Sequence, residues 1–259
     1  MNKIGKNSGM IGNILLGFFL MNISCAQASE LRIAVASNFI LPFKELSKEF
    51  QDSTRKKILL ISGSTGKLFA QIIHGAPFDI FLAADSFRPK RLEKEGLGVP
   101  GTRFTYALGR LVLWSLNSKF IFKNDLQFLS QKNFRYLAIA NPKTAPYGKA
   151  AEQVLRKKGL WKKIQNRLVR GENISQTFQF VITGNADMGF IAFSQFAKKQ
   201  SQLRGYSLII PENWHNPIRQ QAILLKRAKA NKLALDFIDF LQNKRTKKII
   251  ESYGYSHEY

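Results

Sequence analysis

The chain has 259 residues, 45% of them hydrophobic, with 40 Lys and Arg against 17 Asp and Glu for a formal net charge of +23, and one cysteine. That size suits one large or two smaller domains with a core that needs neither metal nor disulfide. The basic excess admits nucleic acid, an anionic membrane surface or a small anion as partner, but the Lys and Arg are spread along the chain, with small clusters such as "RKK" at 55 to 57 and at 156 to 158. No arginine-rich arm or aromatic-interleaved motif accompanies them, so solvated surface lysine is the simplest account and nucleic acid is set aside.

At the N-terminus, Lys3 and Lys6 precede an apolar run over residues 10 to 21, and Ala26-Gln27-Ala28 offers a small-residue cleavage site. This reads as a secretory signal peptide over residues 1–28, too short to span a bilayer comfortably. Cys25 falls inside it, and Asn22 stands where a lipobox wants Leu, which argues against a lipid anchor. About 230 residues remain, with no thiol nucleophile.

From residue 31 the chain alternates strands and helices. "LRIAVAS" (31 to 37) is a buried-type strand, and the segment from Asn38 places Leu41, Leu46 and Phe50 on a helical face, with Pro42 tolerable only in the first turn. "KKILLISG" is a second strand. A turn of Gly63, Ser64, Thr65 and Gly66 follows, then Leu68, Phe69, Ile72 and Ile73 at helical spacing, stopped by Gly75 and Pro77. "FDIFLAA" (78 to 84) is a third strand and "SFRPKRLEKEGL" a short helix. This βαβαβ rhythm predicts a parallel, doubly wound sheet, whose ligands bind beyond the carboxyl ends of the strands. A second unit begins near "ALGRLVLWS" (107 to 115). It runs through strands at 136 to 141, 186 to 194 and 206 to 211 and helices at 148 to 159 and 175 to 184. "IRQQAILLK" (218 to 226) reads as a return strand to the first unit, followed by one or two terminal helices.

Gly66-Lys67 resembles the end of a P-loop, but the position five before Gly66 is Ile61 and the residue after Lys67 is Leu68, so neither the first Gly nor the magnesium-binding Ser or Thr is present. Phosphoryl transfer is thereby excluded. What remains is a strand end that aims backbone N–H groups and hydroxyls at one point where a small anion can sit. An ordinary turn with Ser37 as a helix cap accounts for the same residues.

Six segments in order, "AVASNF", "SGSTGKLFAQI", "GAPFDIFLAAD", "ALGRLVLWS", "GENISQTFQFV" and "GFIAFSQ", resemble the periplasmic molybdate-binding proteins of molybdate ABC transporters. The resemblance runs through nearly the whole mature chain. It implies an α/β, two-lobed periplasmic binding protein fold of type II, each lobe a mainly parallel sheet flanked by helices. The implied limits are lobe 1 at 29–108 and 216–259, and lobe 2 at 109–215. It further implies a monomeric, non-enzymatic periplasmic receptor that needs no cofactor and hands molybdate or tungstate to a membrane permease. Sulfate or another tetrahedral oxyanion is the alternative ligand. Residue by residue, Ser37 and Thr65 match the family's hydroxyl contacts, with Ser64 the neighbour most easily confused with Thr65 in that match. Tyr147 and Ile174 match backbone donors. A tyrosine hydroxyl that some members supply falls here on Ala192, which lacks it.

The residues support this reading on their own terms. A fully deprotonated tetrahedral oxyanion only accepts hydrogen bonds, so its site should offer donors and no carboxylate. Lys67 is expected to face solvent, Asp79 and Asp85 to serve turns and caps, and the three tryptophans to serve packing. His74, His215 and His257 lack metal-ligand spacing.

Overall fold

The computed structural model describes residues 30–257 apart from 118, 121, 123–125, 132 and 200–204, so the expected signal peptide and Cys25 lie outside the described residues. Strands β1 (Leu31–Ala36), β2 (Ile58–Gly63), β3 (Ile80–Ala83) and β4 (Phe104–Gly109) alternate with helices α1 (Ile40–Thr54), α2 (Thr65–Ile73) and α3 (Phe87–Lys94). Next come β5 (Leu111–Ser115), β6 (Leu137–Ala140), α4 (Pro146–Lys157), α5 (Trp161–Ile164), β7 (Leu168–Gly171), α6 (Ile174–Ile182), β8 (Met188–Ala192) and β9 (Tyr206–Ile209). The chain closes with β10 (Ile218–Leu224), α7 (Lys232–Gln242) and α8 (Lys244–Ser252).

These strands form two five-stranded sheets, ordered β2-β1-β3-β10-β4 and β7-β6-β8-β5-β9. In the first, β1 runs parallel to β2 and β3, whereas β10 is antiparallel to β3 and β4. The second repeats the scheme: β6 is parallel to β7 and β8, and β5 is antiparallel to β8 and β9. The antiparallel pairs arise because the chain leaves the first sheet between β4 and β5 and returns in β10, arriving from the opposite end. Gly109 pairs with Ile218, which sets the outgoing and returning segments side by side as a hinge.

Strands covered by helices on both faces must be apolar throughout, and β3, β5, β6 and β8 are buried at every position. Each sheet carries a core on both faces. In the first lobe Phe39, Phe43, Leu46 and Phe50 pack with Phe237 and Leu241 of α7, while Leu68, Phe69 and Ile72 pack on Phe81. The expected face of α1 therefore holds Leu46 and Phe50, with Pro42 and Phe43 replacing Leu41 as the buried residues of its first turn. Pro42 causes no break there, since a short 3-10 turn over Ser37–Phe39 leads straight into the helix. On α2, Ile73 is exposed.

The lobes also touch away from the hinge. Lys198, beyond β8, pairs with Glu45 of α1 at 2.7 Å, and the Tyr253 hydroxyl donates to the same carboxylate at 2.7 Å. The Lys198 hydrogen bond, helped by Tyr253, holds the Glu45 carboxyl below the usual 4.5 of a glutamate. A depressed acid stabilises the folded form above its unfolded pKa and loses that contribution as pH falls through its folded pKa. Unfolding measured from neutral to acid pH should accordingly show part of the acid loss setting in below about pH 4.5 and missing from Glu45→Gln. Parallel profiles for the two proteins would mean that the pair contributes nothing.

Candidate functional site

The carboxyl ends of parallel strands from both sheets meet at one small cavity. After β1 come Ala36, Ser37 and Asn38; after β2, Gly63, Ser64 and Thr65; after β3, Ala84. From the other lobe, Ala145, Pro146 and Tyr147 follow β6, and Ile174 follows β7. This is the position at which open α/β sheets bind ligands, and here two sheets face each other across it. The cavity is small and lined by residues of both lobes, which suits a small ion better than a sugar or an amino acid.

Four of these strand ends, those of β1, β2, β6 and β7, lead into helices whose N-termini surround the cavity. Their local sequences leave N–H groups unclaimed. The first turns at Ser37, Thr65 and Pro146 have no side-chain cap. In α4 the first position is Pro146, which has no N–H, so Tyr147 carries the first donor of that helix. In α6 the Asn173 carboxamide accepts from Ser175 and Gln176 and passes over Ile174. Aligned peptide dipoles give each terminus a partial positive charge, and four of them at one point attract an anion without any fixed cation. Among the described residues, no Asp, Glu, Lys, Arg or His lines the cavity.

The hydroxyls differ in their commitments. Thr65 Oγ1 accepts the Ala84 N–H at 3.1 Å, so its lone pair ties α2 to the end of β3. Ser64 Oγ, in a residue only 1% exposed, has no partner among the described residues, and an unpartnered buried hydroxyl costs about 1–3 kcal/mol. The Ser37 carbonyl accepts from Ser175 Oγ of the opposite lobe at 3.1 Å. The turn expected over Gly63 to Gly66 is divided here: Gly63 ends β2, Ser64 occupies the N-cap position, and Thr65 and Gly66 already belong to α2.

Of the residues expected at the site, Ser37, Ser64, Thr65, Tyr147 and Ile174 come together. Ala192 does not line the cavity; its N–H donates to Gln195 Oε1 at 3.1 Å, so neither its side chain nor its amide is offered. Asn38 lines the cavity and was missed in the sequence. Its carboxamide donates to Gln220 Oε1 at 2.8 Å and to the Tyr255 hydroxyl at 2.9 Å, which fixes the turn and leaves only main chain to face the cavity. Gln220 Nε2 in turn donates to the Tyr147 hydroxyl at 3.2 Å, and the Tyr255 and Ser194 hydroxyls both donate to the Asn38 carbonyl. Burial pushes the Tyr147 hydroxyl well above its ordinary range and that of Tyr255 up to about 12, so both stay neutral donors. No local signal marks this network, because its members are 61 to 217 positions apart along the chain where they meet.

Lys67 is exposed, as expected, and does not line the cavity; its Nζ also pairs with Glu172 of the other lobe at 2.8 Å. Asp85 accepts from the Arg88 N–H at the start of α3 and Asp79 from the Arg32 N–H, the structural roles expected of them. A larger groove of about 360 Å³ adjoins the cavity, sharing Ala84, Ala145 and Pro146 and adding Asp85, Arg88 and Lys149. Its mixed charges and open shape suit an approach route better than a site that must strip a small anion of water.

The sequence profile of the family described as bacterial extracellular solute-binding protein matches residues 31–256. The chain is 45% identical over 235 residues to the molybdate-binding protein ModA of Azotobacter vinelandii, covering 90% of this chain and 92% of that one. It is 41% identical over 233 residues to the molybdate-binding protein ModA of Rhodobacter capsulatus, covering 90% of each. The solved structure of the Azotobacter vinelandii periplasmic molybdate-binding protein superposes with a TM-score of 0.84 at 35% identity, covering 88% of this chain and all of that one.

Proposed function

The chain belongs to the bacterial extracellular solute-binding protein family, and from that premise we propose that it captures its anion by closing two lobes around the cavity between them and then yields it to a membrane permease. It is a molybdate-binding solute-binding protein of an ABC transporter, and not an enzyme. Tungstate, with the same shape and charge, is a second ligand. The receptor works as a monomer in the periplasm after loss of residues 1–28. Lobe 1 comprises 29–108 and 216–259, and lobe 2 comprises 109–215. Ser37, Ser64 and Thr65 supply hydroxyl donors, and Tyr147 and Ile174 supply backbone N–H groups; Ala192 takes no part.

One observation carries this reading: four helix N-termini and the unpartnered Ser64 hydroxyl enclose a cavity lined, among the described residues, by no Asp, Glu, Lys, Arg or His. Such a site favours an anion that is acceptor on every oxygen, and it offers no carboxylate to take the proton of hydrogen phosphate. Neutral donors also let the anion go more readily than an Arg or Lys clamp would. Calorimetric titration of the mature protein with molybdate, tungstate, sulfate and phosphate tests the proposal. Molybdate and tungstate should bind with 1:1 stoichiometry, and phosphate should bind at least about 100-fold more weakly, since an unmatched buried donor pair costs several kcal/mol. Preferential sulfate binding would transfer the site to the smaller oxyanion.

A further inference from the structure

Gly66 lies in the first turn of α2, directly after the hydroxyls of Ser64 and Thr65, yet its N–H is not turned to the cavity. It donates to the Thr144 carbonyl of the opposite lobe at 2.8 Å. A Cβ added at Gly66 would stand 2.9 Å from both Cα and O of Thr144 and 2.9 Å from Arg88 Nη2. Two of those atoms are backbone, so the collision is not relieved by turning a side chain. Around this point the lobes make two further contacts: Lys67 with Glu172 at 2.8 Å, and Arg88 Nη2 with the Lys143 carbonyl at 3.4 Å. Thr144 stands just ahead of Pro146 and Tyr147, so the segment that meets Gly66 also brings the other lobe's first N–H donor to the cavity.

On these grounds we infer that Gly66 is a positioning residue for anion capture: its bare Cα is the surface on which the Thr144 backbone comes to rest when the lobes close, and its N–H makes the hydrogen bond that marks the closed state. The inference rests on the two-lobe capture mechanism proposed above. It gives the Gly of the apparent nucleotide-binding motif a different purpose, close approach between two backbones. It also separates the roles along four residues. Ser64 and Thr65 face the anion, Gly66 receives the opposite lobe, and Lys67 pairs beyond it.

Gly66→Ala distinguishes this from an ordinary helical glycine, because the two effects of the added methyl group have opposite signs. Alanine is the better helix former, so the open, anion-free protein should melt no lower than the parent. Closure, by contrast, should be held short, and molybdate should bind roughly 10-fold or more weakly, through faster dissociation with a nearly unchanged association rate. Small-angle scattering should show less compaction on adding molybdate than in the parent. The double variant Gly66→Ala with Arg88→Ala should stay weak, since the Thr144 backbone remains in place.

An affinity within about 2-fold of the parent would overturn the inference. So would a lowered melting temperature without anion, which would make the contact a constant part of the fold. Recovery of affinity in the double variant would assign the collision to the Arg88 side chain and overturn the backbone role. A parent protein that fails to bind molybdate would count against the capture proposal itself, and that arm is read before the variants.

Discussion

Ser64→Ala should weaken molybdate binding about 10-fold to 150-fold, the equivalent of the 1.5–3 kcal/mol of a hydrogen bond to a charged group, while leaving the anion-free protein at least as stable as the parent. The second half of that expectation is the unusual one. Most buried hydroxyls hold something in place, but Ser64 Oγ has no partner among the described residues, so deleting it removes an unsatisfied polar atom. Thr65→Ala should behave in the reverse order. Its Oγ1 accepts the buried Ala84 N–H, and removing it strands that donor, at a cost of about 1–3 kcal/mol of fold stability, with a loss of affinity on top. Thr65→Ser keeps the oxygen and should restore most of both. Calorimetry for binding and urea unfolding without anion give the two readouts. Should Ser64→Ala bind normally while Thr65→Ala alone loses affinity, the anion is held by Thr65 and the orphaned Ser64 hydroxyl has another explanation.

Phe237→Ala should destabilise the protein by about 3–5 kcal/mol, the range for truncating a buried aromatic ring. Phe237 is fully buried and its ring centroid lies 5.0 Å from that of Phe50, 6.0 Å from Phe43 and 5.8 Å from Phe240. Those contacts join α7, near the end of the chain, to α1, near its start, so the first lobe is closed only by the returning segment. Phe237 does not line the cavity, and molybdate at about 100 times its Kd should add the same 2.7 kcal/mol or so to variant and parent alike. A loss below about 1 kcal/mol in urea would show that α7 is not integral to the first lobe's core.

Much of the architecture is legible without coordinates, for reasons tied to particular elements. The central strands, such as "IFLA" of β3 and "LAIA" of β6, are covered on both faces and so read as unbroken apolar runs. Helix α2 shows its buried Leu68, Phe69 and Ile72 at helical spacing because one face meets the sheet. Less legible are the strand edges and helix starts: α4 begins at Pro146, ahead of the apolar pattern, because Pro at the first position fixes a helical φ without giving up a needed N–H. Strand β4, half buried, carries no clean alternation, so its start at Phe104 is not marked in the sequence.

The sequence by itself determined what depends on neighbours in the chain: the alternation of strands and helices, the strand-end turns that carry Ser37, Ser64 and Thr65, and the failure of the Gly66-Lys67 pair to make a P-loop. It also marks a strand at 218 to 226, whose place between β3 and β4 only the long-range pairing fixes. Only the tertiary structure decided which hydroxyl is unclaimed, why Asn38 is held rigid by Gln220 and Tyr255, and that the Gly66 N–H is taken by the Thr144 carbonyl. The physical reason is that hydrogen-bond satisfaction and steric closeness are properties of groups brought together from distant positions. A hydroxyl or a glycine looks the same in the sequence whether the partner 80 or 180 residues away has claimed it or left it free.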